Sequence, residues 1–117
     1  MAKNAFITWG GWDGHEPEQT ATIFAEVLRT EGYHVEVSNA LDAFEDEAFT
    51  NSQDLIVPVW TMSGISRGQE TGLLQAIRTG TGCAGWHGGM AYSFRQNVEY
   101  QFMVGGQFAC PPGGIID

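Results

Sequence analysis

Apolar positions along this chain recur in two different periods, and the order in which those periods follow one another predicts its fold. Ala5-Phe6-Ile7-Thr8-Trp9 is a β-rich run stopped by Gly10-Gly11, which predicts a first strand. Ala21, Phe24, Val27 and Leu28 then recur at helical spacing, between Pro17, suited to a first helical position, and Gly32, a stop. Tyr33 to Ser38 alternates as an edge strand with one wet face does. Leu41 to Ser52 is acidic and mixed, and predicts a short helix with Phe44 and Phe49 turned inward. Asp54 to Trp60 is an unbroken apolar run, the mark of a central strand, with Pro58 expected at its end. Ser66-x-x-Gln69 has the spacing of a capping box, opening a helix that runs to Arg78 with Leu73, Leu74 and Ile77 on its inner face. Gly72 weakens that helix by about 1 kcal/mol relative to alanine. Thr81 to Trp86 reads as a buried parallel strand, and Ala91 to Met103 as a further helix with Phe94, Val98 and Phe102 on one side.

The order βαβ(α)βαβα predicts an α/β domain of the flavodoxin-like, doubly wound type, with a mostly parallel sheet and right-handed crossovers. Ligands of such folds bind beyond the carboxyl ends of the strands, near the point where the strand order reverses. Three loops leave that edge here, spanning 10–16, 61–65 and 87–90. All four tryptophans, Trp9, Trp12, Trp60 and Trp86, fall in or immediately before those loops, which predicts an aromatic-lined cleft.

Charge narrows the set of partners. Fourteen acidic against five basic side chains give the 117-residue chain a formal charge of −9, which repels phosphate backbones and anionic lipid, so neither nucleic acid nor a membrane is expected. A hydrophobic share of 43% with 16% charged residues is that of one folded globular domain. No run reaches the length of a membrane span, and the amino terminus lacks an apolar leader, so a cytoplasmic setting with Cys83 and Cys110 as free thiols is expected.

The candidate chemistry centres on Gly85-Trp86-His87-Gly88-Gly89. The pattern G-x-H-x-G has the spacing of a nucleophile elbow, a strained strand-to-helix turn that displays one side chain above the sheet edge. The displayed group is an imidazole, suited to general acid/base work, to metal ligation or to hydrogen bonding a ligand hydroxyl; the plainer role is to lock the turn. Asp13, His15 and Glu16 occupy the loop expected to face it. They are candidates for supporting catalysis, or for stabilising the dipole of the helix that follows by up to about 1 kcal/mol. His15 and His87 together are also candidate ligands for a divalent metal such as zinc, although no third ligand is evident. Trp12, Trp60 and Trp86 are candidates for stacking on the apolar face of a ligand ring, or for packing against other protein, while Trp9 is expected to be buried. Gly88, Gly89 and Tyr92 complete the candidate binding set, and Arg95 is its polar neighbour. A cysteine-based acyl transfer is disfavoured, because the elbow carries His87 and Cys83 lies four residues earlier, within a strand.

Four segments carry a resemblance. They are Trp9 to Pro17, Leu55 to Trp60 with Met62, Gly80-Thr81-Gly82 leading into Gly85 to Gly89, and Phe102 to Phe108. Together they resemble the ThuA-like family, the trehalose-utilisation proteins, whose fold is that of class I glutamine amidotransferases. The resemblance implies a role in carbohydrate utilisation, with a sugar or sugar derivative bound at the carboxyl edge of the sheet. Family members are longer, so residues 1–117 are expected to form a ThuA-like domain incomplete at its carboxyl end. Cys110-Pro111-Pro112 also stands where the family tends to have a His-Pro pair. The alternative is a non-catalytic or truncated half-domain that acts only through a protein partner, including another copy of itself.

Overall fold

The computed structural model describes residues 1–110 and Gly113. Pro111 and Pro112, and the end of the chain from residue 114, lie outside the described residues, and with them part of the segment expected to stand in place of a His-Pro pair. Four strands, β1 (Asn4–Gly11), β2 (His34–Ser38), β3 (Leu55–Thr61) and β4 (Gly82–Cys83), form one sheet in the order β2-β1-β3-β4. Every pairing is parallel. The longest, β1 with β3, runs in register from Ala5 opposite Leu55 to Gly11 opposite Thr61. Strand order reverses between these two central strands, which makes the fold flavodoxin-like and places its switch point at the end of β1 and β3.

Side-chain alternation assigns the two faces. Ala5, Ile7, Val57 and Val59 pack with Ala21 and Ala25 of α1 (Pro17–Thr30). Phe6 and Ile56 face the opposite layer, where they meet Phe44, Leu73, Ala76, Phe94 and Tyr100. That layer comprises a 3-10 turn at Asp42–Glu45, α2 (Glu47–Asn51), α3 (Arg67–Arg78) and α4 (Val98–Val104). The capping box at the start of α3 forms in both directions, Gln69 N–H donating to Ser66 Oγ and Ser66 N–H to Gln69 Oε1. No helix among the described residues is long and apolar enough to cross a membrane.

Four expectations are corrected. Pro58 sits inside β3 rather than at its end. On its β4 side the ladder has already stopped: the last bond is from Ala84 N–H to Ile56 O, and two residues beyond Pro58 on that side Trp60 O accepts from the Ser93 hydroxyl, so the absent proline N–H interrupts no ladder with β4. β4 is two residues long, not the full run to Trp86. The helix expected from Ala91 begins only at Val98, because Phe94 adopts φ 47° and the segment before it docks beside β3, with Met62 N–H donating to Tyr92 O. Phe94 is consequently buried while Val98 and Phe102 face solvent. Gly72, read as a weak point of α3, is where the helix meets the Asp42–Glu45 turn: a Cβ there would overlap the Phe44 carbonyl.

Candidate functional site

The first loop leaves β1 and is pinned at once to β3, Trp12 N–H donating to Thr61 O at 3.0 Å. A 3-10 turn over Asp13–His15 then swings His15 back over the strand end. There Thr61, in phase with Val57 and Val59, presents its hydroxyl on the α1 face, and Oγ1 lies 2.7 Å from His15 Nδ1. Thr61 is 2% exposed, so this contact is shielded from solvent.

The third loop supplies the second imidazole. After β4 the chain stays extended through Trp86 and turns abruptly at His87, whose φ of 45° lies in the left-handed region. Such a conformation costs a non-glycine residue on the order of 1–3 kcal/mol, and it displays the exposed His87 ring at the lip of the sheet. The 3-10 turn His87–Gly89 buries both glycines behind it. Gly88 fits flush against the first imidazole, since a Cβ there would stand 2.7 Å from His15 Cε1.

The two loops therefore bring His15 and His87 together, ring centroids 5.2 Å apart and 61° from coplanar. Trp12 meets His15 edge-on at 4.8 Å. Phe108, whose N–H donates to Ala91 O, folds back to 5.9 Å from the His87 ring and 5.3 Å from that of Tyr92. Below the imidazoles is a cleft of about 170 Å³, lined by His15, Thr20, Val59, Thr61, Trp86, His87 and Gly89. Trp86 stacks on Phe24 of α1, 4.1 Å between centroids, and this braces the cleft wall.

The other sequence-named residues go elsewhere. Asp13 and Glu16 border a neighbouring groove with Trp9, Pro17 and Glu18, not the cleft between the histidines. Trp60 lies on the opposite face of the sheet, against Gly10 and 6.4 Å from Phe94, with Nε1 buried and no hydrogen-bond partner among the described residues. Tyr92 is held by Arg95, which donates from Nη1 to the Tyr92 hydroxyl at 2.7 Å with its guanidinium 4.4 Å from the ring centroid. Gly89 packs on Val59 and its carbonyl accepts from Ser93 Oγ at 3.0 Å. Four residues that the sequence reading left out of the site, Thr61, Val59, Thr20 and Phe108, touch it; the parity Val57, Val59, Thr61 was the signal for the first two.

A zinc site is not supported by the donors present. Thr61 occupies the Nδ1 side of His15, and among the described residues no group of three His, Cys, Asp or Glu side chains converges to hold a metal ion. Two imidazoles fall short of the three protein ligands that even an open zinc centre uses. Nor does cysteine take the nucleophile's place. Burial pushes the half-buried Cys83 thiol up to about 11, which keeps it protonated near neutrality, and Cys110 is exposed and does not occupy the turn at His87.

Among curated proteins and solved structures, none matches this chain. The family model described as ThuA, trehalose utilisation, matches residues 4–114. The chain therefore belongs to the ThuA family, whose description suggests a role in trehalose utilisation.

Proposed function

We propose that the chain binds a sugar or sugar derivative at the carboxyl edge of its sheet and acts on it by acid/base chemistry through His87 and His15. The observation that carries this reading is the meeting of two imidazoles from separate loops, 5.2 Å apart, over a cleft at the switch point of the fold. Neutral imidazoles hydrogen-bond hydroxyl and carbonyl oxygens and exchange protons near neutral pH. Trp12, Trp86 and Phe108 supply apolar faces of the kind that stack on a pyranose. At about 170 Å³ the cleft suits one sugar ring, with any second ring lying outside against Trp12 and Phe108. Asp13 and Glu16 take no catalytic part in this reading. The reaction is placed in the cytoplasm, in keeping with an acidic chain whose cysteines are both free.

The test is turnover and calorimetric binding of trehalose and oxidised disaccharides by the wild type and His87→Ala. Loss of about a hundredfold or more in turnover by the variant supports an acid/base role. Equal turnover by both proteins removes His87 from the mechanism.

A second reading, a module that works through contact with another copy of itself, is favoured by one observation. Val98 and Phe102, one turn apart on α4, are 63% and 76% exposed. Light scattering across a concentration series separates the two readings, since a monomer throughout leaves only the first.

A further inference from the structure

Thr61 is a polar residue at an apolar phase of β3, and its hydroxyl has a single hydrogen-bond partner among the described residues, His15 Nδ1 at 2.7 Å. A hydroxyl carries one proton, and a neutral imidazole has one donor and one acceptor nitrogen. Two arrangements satisfy the distance. In one, Nδ1–H donates to Oγ1, and the buried Thr61 O–H is then left with no acceptor. In the other, Thr61 O–H donates to Nδ1, and the ring proton resides on Nε2, so both buried groups are paired. Buried donors left unpaired are strongly disfavoured, so the second arrangement prevails.

We infer that Thr61 is a positioning residue that fixes His15 as its Nε2–H tautomer, so that His15 meets the ligand as a hydrogen-bond donor to an oxygen. Gly88 holds the ring from its Cε1 side, and Trp12 closes on it edge-to-face, so the orientation set by Thr61 has little room to drift. His87 differs: among the described residues no side chain or backbone group hydrogen-bonds its ring, which leaves both ring nitrogens open to a ligand. The pair therefore divides the work, His15 donating to a carbonyl or hydroxyl oxygen and His87 accepting the proton released nearby. A carbonyl-bearing sugar, whose adjacent C–H is acidified when that oxygen is polarised, is the ligand class this division suits. The ligand assignment rests on the sugar-binding reading above; the tautomer does not.

The experiment is long-range proton–nitrogen correlation on uniformly ¹⁵N-labelled full chain, at about pH 8.5, above the usual imidazole range. Wild type, Thr61→Ser, which keeps the hydroxyl, and Thr61→Val, which keeps the shape without it, are compared. The expected result is a single Nε2–H tautomer for His15 in wild type and Thr61→Ser, and a mixture in Thr61→Val. An Nδ1–H tautomer in the wild type overturns the inference, as does an unchanged His15 pattern in Thr61→Val. The wild-type spectrum decides even if the valine variant does not fold. Titration of an oxidised disaccharide adds the second arm: about tenfold weaker binding in Thr61→Val, restored by serine, is expected. Binding unaffected by loss of the hydroxyl overturns the donor role. The predicted tautomer in a chain that binds neither trehalose nor its oxidised forms sinks the sugar reading and leaves the His15–Thr61 assignment standing.

Discussion

Gly88 and Gly89 are adjacent, both buried, and expected to respond to alanine in opposite ways. A Cβ on Gly88 would stand 2.7 Å from His15 Cε1, 3.4 Å from Nδ1 and 3.5 Å from Thr61 Cγ2. Carbon atoms pack at about 3.5–4.0 Å, so the His15 ring must retreat by roughly 1 Å. No backbone strain shares the burden, since the φ of Gly88 is not in the left-handed region. A retreat of that size stretches the 2.7 Å contact to Thr61 to or beyond the limit of a hydrogen bond and strands a buried hydroxyl, at about 1–3 kcal/mol. Gly88→Ala is therefore expected to lower stability by about 2 kcal/mol, on the order of 10 °C in Tm for a domain of this size. It is also expected to reduce turnover about a hundredfold, because the imidazole is misplaced. At Gly89 the first atom a Cβ meets is Val59 Cα at 3.6 Å, an ordinary contact, so Gly89→Ala should melt within a few degrees of wild type. Thermal melts of both variants, with the His15 ring nitrogens followed by NMR, check the pair. If Gly88→Ala melts with the wild type and keeps its His15 signals, the ring is not seated against that glycine and the geometry of the site is wrong.

Two glycines of α3 form a similar pair. Gly72→Ala drives a methyl into the Phe44 carbonyl and should destabilise by about 1–3 kcal/mol, whereas Gly68→Ala meets only the movable end of Glu45 and should be neutral or stabilising by up to about 1 kcal/mol, as urea melts can show. Desolvation raises the Cys83 thiol from an ordinary 9.0 to about 11, so the folded chain holds this proton more tightly than the unfolded one; its contribution to stability is complete below pH 9 and is lost as pH rises to about 11. Tyr100, also raised by burial, acts in the same direction at higher pH. Cys83→Ala should flatten the fall in urea midpoint between pH 9 and 11, and an unchanged slope would refute the assignment. Trp60→Phe removes a buried indole N–H that has no partner among the described residues, so stability should change by less than about 1.5 kcal/mol and sugar binding not at all; weakened binding would put Trp60 back at the cleft.

The contrast between Trp60 and Thr61 explains what the sequence could and could not convey. Both belong to the end of β3, whereas the sequence reading closed the strand at Trp60, began the loop at Thr61, and grouped Trp60 with the other tryptophans for its place just before that loop. Strand geometry sends neighbours to opposite faces, and continuing the parity of Val57 and Val59 places Thr61, not Trp60, beside the histidines. That information was present in the run itself. The segment from Ala91 misled for a different reason. Phe94, Val98 and Phe102 repeat at helical spacing, but Ser93 donates to Trp60 O and Met62 pairs with Ser93, so contacts to distant residues hold 91–94 out of the helix. Local periodicity carries no trace of them.

The catalytic reading depends on one further long-range event. His15 and Thr61 are 46 residues apart, and what joins them is the register of β1 with β3, which sets Gly11 opposite Thr61 and lets Trp12 hydrogen-bond to it before the chain turns. Slipping that register by one residue would offer the His15 turn the opposite face of β3 and remove the hydroxyl from reach. Asp13 and Glu16 share the loop with His15 and still miss the cleft, because a 3-10 turn directs successive side chains outward at wide angles and only one of them faces the strand end. The glycine pattern around His87 announced a strand-to-helix elbow; the structure has a sharp turn there, with His87 at a left-handed φ, but β4 ends at Cys83 and the next helix starts only at Val98. What the pattern did not convey was the partner: the opposing imidazole is selected by strand register and held by the threonine beneath it, so the chemistry of the elbow is decided in β1 and β3 rather than in β4.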